Sequence, residues 1–133
     1  MTDAIELPIA ANSDVVLVRQ RVRTSAQQVG LSLVDQTKVV TAASELARNT
    51  LVYAGGGRVR IEVVGNGARG GLRLTFADEG PGIPDLELAL TDGWTTGGGL
   101  GLGLSGSRRL VDEFDLDSEP GKGTRVTVVK WAR

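Results

Sequence analysis

Residues 72–84 read Leu-Arg-Leu-Thr-Phe-Ala-Asp-Glu-Gly-Pro-Gly-Ile-Pro, which places a carboxylate directly after an apolar strand pattern. The glycines and prolines after Asp78 prevent the strand from continuing. A carboxylate at the end of a buried strand is costly unless a specific group pairs with it, and glycine lets a flat ligand approach the backbone. The stretch therefore suits a purine whose exocyclic amine donates to Asp78 while the ring lies beside Gly82. Taken alone, the stretch also fits a strand-ending turn with an aspartate cap.

The composition excludes several kinds of chemistry. The chain has 133 residues, a length that predicts a single domain over residues 1–133 with a core of its own. It contains neither cysteine nor histidine, so we expect no disulfide, thiolate nucleophile, histidine base or phosphohistidine. The formal net charge is -1, and no apolar run approaches the ~20 residues that span a bilayer. We therefore expect a cytoplasmic protein that binds neither nucleic acid nor a membrane.

Glycine is the one residue type that departs strongly from average use. The chain has 19 glycines, about twice the share expected from an average of ~7%. Glycine clusters between periodic segments indicate tight turns or backbone that approaches a ligand. The clusters lie at 55–57, 65–71, 80–82, 97–106 and 121–123.

Apolar periodicity predicts an α/β (α+β) two-layer sandwich, in which a mostly antiparallel sheet is covered on one face by about three helices. The first helix is expected to be capped by Ser13-Asp14 and to end at Gly30. The second should follow a capping box at 32–35 and continue to about Ala54. We predict strands at 4–10, 58–64, 72–77, 114–118 and 124–131, a hairpin turn at 66–71, a helical turn at 85–90, an irregular segment at 91–101 and a third helix at 102–113.

Glu45 and Asn49 are the first candidates for chemistry. Side chains four residues apart on a helix project from the same face. A carboxylate beside an amide can activate a hydroxyl or water, and the amide oxygen can bind Mg²⁺. In isolation, this pair also fits an ordinary solvent-facing polar pair.

The glycine-rich segment 97–104 is the second candidate. Backbone N–H groups in such a loop, backed by a helix N-terminus, can hold phosphate groups. Its leucines alternate with glycines and are too apolar for a free linker, which favours a phosphate site over a mobile surface loop. No Gly-Lys-Ser/Thr follows, so it is not a Walker A loop, and it lacks the βαβ context of the dinucleotide fingerprint.

Together and in this order, the motifs resemble the Bergerat-fold superfamily of ATPases and kinases, which includes gyrase B, Hsp90, histidine kinases and MutL. Over nearly its full length, the chain is similar to the small serine/threonine kinases of the anti-sigma-factor type, which include the switch kinases of stressosomes. The resemblance rests on the sequences at 44–49, 78–85, 97–106, 110–114, 123–124 and 130–133.

The resemblance implies a role for each matching residue, with ATP and Mg²⁺ as cofactors. Asp78 would bind the adenine amine, Asn49 would hold Mg²⁺, and Glu45 would orient or deprotonate the attacking hydroxyl. The remaining implied nucleotide contacts are Gly80 and Gly82 beside the ring, Thr124 in the adenine network, Thr95 and Thr96 in the lid, and Gly99, Leu100, Gly101, Leu102 and Gly103 along the triphosphate. No lysine lies near the phosphate loop, which leaves its positive partner unassigned.

The resemblance also implies partners. In such kinases the acceptor is a serine or threonine of a STAS-domain protein of the stressosome, and the released kinase activates a PP2C-type phosphatase through its regulatory domain. Three other interpretations share some of the motifs. A histidine-kinase ATP domain would need a phosphoacceptor on another chain, and a gyrase- or Hsp90-like mechanical ATPase would need a second domain. A non-catalytic, anti-sigma-like switch would use nucleotide only to set its affinity for a partner.

Overall fold

The computed structural model describes residues 4–65, 67–80 and 103–133. Within these ranges, one five-stranded sheet carries the helices on one face. Every neighbouring pair of strands is antiparallel, in the order β1-β2-β3-β5-β4. The elements are β1 Ala4–Ile9, α1 Asn12–Gln28, α2 Leu33–Ala54, β2 Gly57–Gly65, β3 Gly70–Asp78, α3 Gly103–Arg109, β4 Glu113–Glu119 and β5 Gly123–Trp131.

The core lies between the sheet and the helices, as the alternation predicts. Leu72, Leu74 and Phe76 of β3 are buried and pack in one cluster with the apolar stripes of α1 and α2. On β5, Val126 and Val128 face this cluster. The predicted two-layer α+β architecture is therefore confirmed, and the sheet is antiparallel throughout its described strands.

The second helix begins and ends where the sequence predicts. The Ser32 hydroxyl accepts a hydrogen bond from the backbone N–H of Asp35 at 3.1 Å, and Gly55 closes the helix in the left-handed conformation at φ 76°. The Asp35 carboxylate does not complete the capping box, because it lies 3.5 Å from Lys130 Nζ instead.

The predicted cap of the first helix is confirmed in part, and the predicted end of the third helix is wrong. The first helix begins at Asn12 after Ala11 at the N-cap position. Asp14 caps it from inside the first turn, where its Oδ2 accepts from the backbone N–H groups of Ala10 and Ala11 at 2.8 and 3.0 Å. The third helix ends at Arg109 rather than at residue 113. The backbone N–H of Asp112 instead donates to the Val129 carbonyl at 2.9 Å, which draws the chain into the sheet.

The predicted helical turn at 85–90 and the irregular segment at 91–101 lie outside the described residues. No helix in the described part of the chain is long and apolar enough to cross a bilayer.

Candidate active site

Asp78 closes β3 on the side that faces α2. In the strand register it follows Phe76 on the helix-covered face and pairs with Thr124 of β5. Its Oδ1 accepts a hydrogen bond from the backbone N–H of Gly80 at 2.9 Å, so the carboxylate does cap the turn. Its Oδ2 has no hydrogen-bond donor among the described residues, which leaves one carboxylate oxygen available to a ligand amine.

Two glycines bring the end of α2 close to Asp78. A Cβ on Gly80 would lie 2.8 Å from the Cα of Ala54, and a Cβ on Gly57 would lie 2.7 Å from Thr50 Cγ2 and 3.1 Å from Asp78 Cβ. Real Cβ atoms do not approach this closely, so only glycine fits at either position with this backbone. The last two turns of α2, the start of β2 and the end of β3 therefore form one continuous wall.

Thr124 is held by a neighbour on the edge strand. Its hydroxyl lies 2.8 Å from Ser118 Oγ, which also donates to the Gly123 carbonyl at 3.1 Å. Ser118 and Thr124 are register partners across β4 and β5. This pair fixes the Thr124 side chain beside Asp78, where a hydroxyl could join a polar network around a base.

Glu45 and Asn49 lie on the middle and C-terminal half of α2, and both side chains are partly buried. Neither makes a hydrogen bond or an ion pair with any described residue. Thr50, which follows Asn49, is buried and packs against the Gly57 position beside Asp78. Asn49 therefore belongs to the same end of the molecule as Asp78, with Glu45 about 6 Å further along the helix axis.

The remaining candidates are Gly103 and the residues outside the described ranges. Gly103 begins α3. Those that lie outside the described residues are Gly82, Thr95, Thr96, Gly99, Leu100, Gly101 and Leu102.

Within the described ranges, no group of three acidic side chains lies close enough to hold a metal ion. The candidate oxygen donors on α2 are one amide, Asn49, and one carboxylate, Glu45, which pairs with no described residue. This sparse oxygen set fits a magnesium ion that takes most of its ligands from nucleotide phosphates and water, which is how Mg²⁺ is commonly bound at ATP sites.

A groove of about 430 Å³ opens at this end of the sheet, and Asp78, Ser118 and Thr124 of the candidate site belong to its lining. Its cations are already paired with carboxylates at 3.2–3.5 Å. The groove therefore offers no net positive site for phosphate groups. These pairs are Arg58 with Glu6, Lys122 with Glu119, and Arg125 with Asp117.

Sequence reasoning missed three residues that shape this site. The sequence predicts Ser118 only as the end of a strand, whereas the hairpin closed by residues 119–123 places it opposite Thr124. It predicts Gly57 only as a member of a glycine cluster, and Ala54 only as the approximate end of a helix. The contacts of Gly57 and Ala54 join segments more than 20 residues apart, which no local pattern reports.

Comparison with known proteins agrees with this geometry. The sequence model of the family described as histidine kinase-, DNA gyrase B-, and HSP90-like ATPases matches residues 34–132. The chain is 45% identical to the serine/threonine-protein kinase RsbT of Bacillus subtilis (strain 168), over 100% of both chains. It is 30% identical to the anti-sigma F factor of Geobacillus kaustophilus, over 98% of this chain and 93% of that protein.

Solved structures share the fold at lower identity. The RsbU and RsbW domains of a Mycobacterium tuberculosis protein superpose with a TM-score of 0.67 at 20% identity, covering 100% of this chain and 33% of that one. The mycobacterial sensor histidine kinase MprB gives a TM-score of 0.59 at 20% identity, covering 100% and 99%.

Proposed function

The chain belongs to the family of histidine kinase-, DNA gyrase B- and HSP90-like ATPases, and on this premise we propose that it is a Mg²⁺- and ATP-dependent serine/threonine protein kinase of a partner-switching pathway. The observation that carries the proposal is the 45% identity to a serine/threonine-protein kinase over the full length of both chains. The Glu45 carboxylate and the Asn49 amide, neither of which bonds to a described residue, are the groups such a reaction requires.

In the proposed nucleotide site, the free Oδ2 of Asp78 accepts from the adenine amine. Thr124, held by Ser118, completes the polar edge. Gly80 and Gly82 are assigned to the backbone beside the ring, as the family resemblance implies. The triphosphate is assigned to Gly99, Leu100, Gly101, Leu102 and Gly103, with Thr95 and Thr96 in the lid, as the family resemblance implies.

In the proposed transfer step, the acceptor hydroxyl oxygen forms a bond to the γ-phosphorus. The bond between that phosphorus and the β–γ bridging oxygen breaks, and ADP leaves. Glu45 orients the hydroxyl and takes its proton, while Asn49 supplies the protein ligand to Mg²⁺. Phosphoryl transfer depends mainly on positioning and charge neutralisation, so these few side chains and backbone amides suffice.

We assign as acceptor a serine or threonine of a STAS-domain stressosome protein, and as second partner the regulatory domain of a PP2C-type phosphatase, which the released kinase activates. Both assignments rest on the resemblance to partner-switching kinases. They predict two successive complexes of one chain, the first of which ends when the acceptor is phosphorylated.

The test is transfer of labelled γ-phosphate from ATP to the STAS-domain proteins of the same genome, with and without Mg²⁺. We expect Mg²⁺-dependent transfer that Glu45→Ala reduces by about 10²-fold or more with ATP binding retained, and that Asp78→Asn reduces through ATP affinity. Lys38→Ala, at an exposed α2 position outside the proposed machinery, provides a truncation control on the same helix. Absence of transfer to every STAS-domain protein would contradict the kinase assignment.

A second candidate function is a non-catalytic switch whose nucleotide sets partner affinity. The similarity to anti-sigma F factors, at 27–30% identity, is the observation that favours it. The same experiment separates the two, because a switch of this kind would bind its partner stably, with an affinity that depends on nucleotide, and would transfer no phosphate.

A further inference from the structure

Helix α2 presents one accessible stripe along the edge that carries Glu45. Arg48 is exposed, and Val52 exposes 62% of its surface although it is apolar. The opposite side of the helix is buried in the core. The buried residues of α2 include Val39, Val40, Ala43, Leu46, Ala47 and Thr50.

Helical geometry places Arg48 and Asn49 on opposite flanks of Glu45. At 3.6 residues per turn, Asn49 is rotated by about 40° to one side of Glu45, whereas Arg48 is rotated by about 60° to the other. Asn49 lies on the flank nearer to Thr50, which packs beside Asp78. The nucleotide site is therefore on the Asn49 flank, and the Arg48 flank remains open to a second molecule.

An acceptor hydroxyl must reach Glu45 on a folded protein. Residues three and four apart on a helix have Cβ atoms about 5–6 Å apart, so Arg48 adjoins Glu45, and Val52 adjoins Arg48. A polypeptide that delivers its hydroxyl to Glu45 from the open side therefore passes over Arg48 and Val52. We name these two residues the Arg48–Val52 surface.

The charge on this surface indicates what the arriving segment carries. Arg48 forms no ion pair or hydrogen bond with any residue in the described ranges. A guanidinium is matched best by a carboxylate, which it can bind through two parallel hydrogen bonds. Arginine is also enriched in protein–protein interfaces relative to the rest of the surface.

We propose that the Arg48–Val52 surface is the docking site for the acceptor protein, and that it recognises a carboxylate side chain and an apolar side chain next to the acceptor serine or threonine. This inference rests on the proposed kinase function and adds to it a determinant of acceptor choice. The surface is continuous with the proposed catalytic pair, so docking and alignment of the hydroxyl on Glu45 occur together.

The test uses the full chain with two charge-changing variants, Arg48→Glu and Val52→Asp. The matched controls on the same helix are Lys38→Glu and Val34→Asp, since Lys38 is exposed and Val34 exposes 64% of its surface. These positions lie about 10 and 16 Å from Glu45 along the helix axis. The acceptor probe is the STAS-domain protein that the wild-type chain phosphorylates, and a fluorescent ATP analogue reports nucleotide affinity.

For both test variants we expect the acceptor KM to rise at least about tenfold, the size typical of a central interface residue. Nucleotide affinity should stay within about twofold of wild type, and both controls should keep the wild-type acceptor KM. Replacing the acceptor carboxylate nearest the phosphorylated residue by arginine should restore transfer by Arg48→Glu, because the charge pair is then reversed.

Three results would overturn the docking inference. An unchanged acceptor KM in both test variants would remove Arg48 and Val52 from the interface. An equal effect of Lys38→Glu would show general electrostatic attraction instead of local docking. A loss of nucleotide affinity in Arg48→Glu would assign that guanidinium to the phosphates. A wild-type chain that transfers no phosphate at all would instead contradict the proposed function.

Discussion

Gly123 lies at the start of β5, where the strand passes directly beside the backbone of Asp78. Its φ of 89° is in the left-handed region, and a Cβ there would lie 2.9 Å from Glu79 Cα and would overlap the Asp78 carbonyl oxygen. Any other residue at position 123 would therefore introduce both backbone strain and a steric clash at the wall of the candidate site.

We predict that Gly123→Ala lowers the free energy of unfolding by roughly 3 kcal/mol, since backbone strain and overpacking each cost about 1–3 kcal/mol. Nucleotide affinity should fall as well, because Asp78 must move. Gly121→Ala is the matched control, with a φ of 79° and no atom within 4 Å of its Cβ, so it carries strain alone. Urea unfolding measures the free energy of unfolding of both variants. Equal losses of stability would show that the contact with the Asp78 backbone adds nothing to the cost of Gly123→Ala.

Ser118 is the other residue whose importance comes from one neighbour. Its Oγ lies 2.8 Å from Thr124 Oγ1. We predict that Ser118→Ala weakens nucleotide binding about fivefold, the equivalent of ~1 kcal/mol for one hydrogen bond, because Thr124 loses the contact that holds its side chain. Calorimetric titration with an ATP analogue checks this.

Thr127→Ala is the control for Ser118→Ala, because it removes a hydroxyl from β5 on the face of the sheet that is not covered by helices. Its nucleotide affinity should equal that of the wild type. An unchanged affinity in Ser118→Ala would separate Thr124 from the nucleotide site.

At the scale of elements, the uncovered face of the sheet contains a nearly buried carboxylate between β2 and β3. Glu62 is 7% exposed, and its two oxygens accept from Nε and Nη2 of Arg73 at 3.1 Å each. Arg60 lies 3.5 Å away on the other side. The hydrogen bonds from Arg73, opposed by burial and assisted by the charges of both arginines, lower the pKa of Glu62.

A lowered pKa in the folded state means that Glu62 stabilises the fold above its ordinary pKa of 4.5 and loses this contribution as the pH falls through and below that value. We therefore expect Glu62→Gln to destabilise the protein clearly at pH 7 and less at pH 3.5. Urea unfolding at both pH values measures the difference in unfolding free energy between the variant and the wild type. Glu6→Gln removes an exposed pair with Arg58 and should have little effect at pH 7. If Glu62→Gln destabilised the protein as much at pH 3.5 as at pH 7, the lowered pKa of Glu62 would not contribute to the stability of the fold.

The elements also differ in how well their limits were anticipated. The second helix has local signals at both ends, a serine cap and a glycine in the left-handed conformation, and both limits were predicted correctly. The third helix has no local stop signal. Its end depends on Asp112, whose backbone N–H binds Val129 and whose carboxylate accepts from the Trp131 N–H at 2.7 Å.

At the scale of the whole molecule, Lys130 connects three segments that are distant in sequence. Its side chain is 5% exposed, and its ammonium lies 3.5 Å from Asp35 at the start of α2 and 3.5 Å from Asp112 before β4. Burial acts to raise the pKa of Asp112, but the hydrogen bond from Trp131 and the charges of Lys130 and Arg133 outweigh it and lower that pKa. The network fastens the helix layer to the last strand.

We predict that Lys130→Met lowers the free energy of unfolding by roughly 3 kcal/mol, because it leaves Asp35 as an uncompensated carboxylate in a buried site. Lys122→Met is the matched control. Lys122 has a side chain that is 77% exposed and pairs with Glu119 at the surface, so its removal should cost less than about 1 kcal/mol. Thermal unfolding measures both, and equal stability would show that the buried pair contributes nothing.

The sequence by itself determined the order of the described strands and helices, which residues of each face the core, and the limits of α2. These features follow from local alternation, helical spacing and glycine or serine at the chain's turning points, all of which act within a few residues. The motif residues Glu45, Asn49, Asp78 and Thr124 were also identified from the sequence, through their order and their resemblance to a known family.

Only the tertiary structure decided where α3 ends and that Gly57 and Gly80 allow α2 to pack closely beside Asp78. It also decided that Ser118 contacts Thr124 and that Lys130 is buried between two carboxylates. Each of these features depends on a partner brought close by the sheet register or by the packing of α2. The free energy of such contacts comes from the assembled fold, so no pattern along the chain reports it.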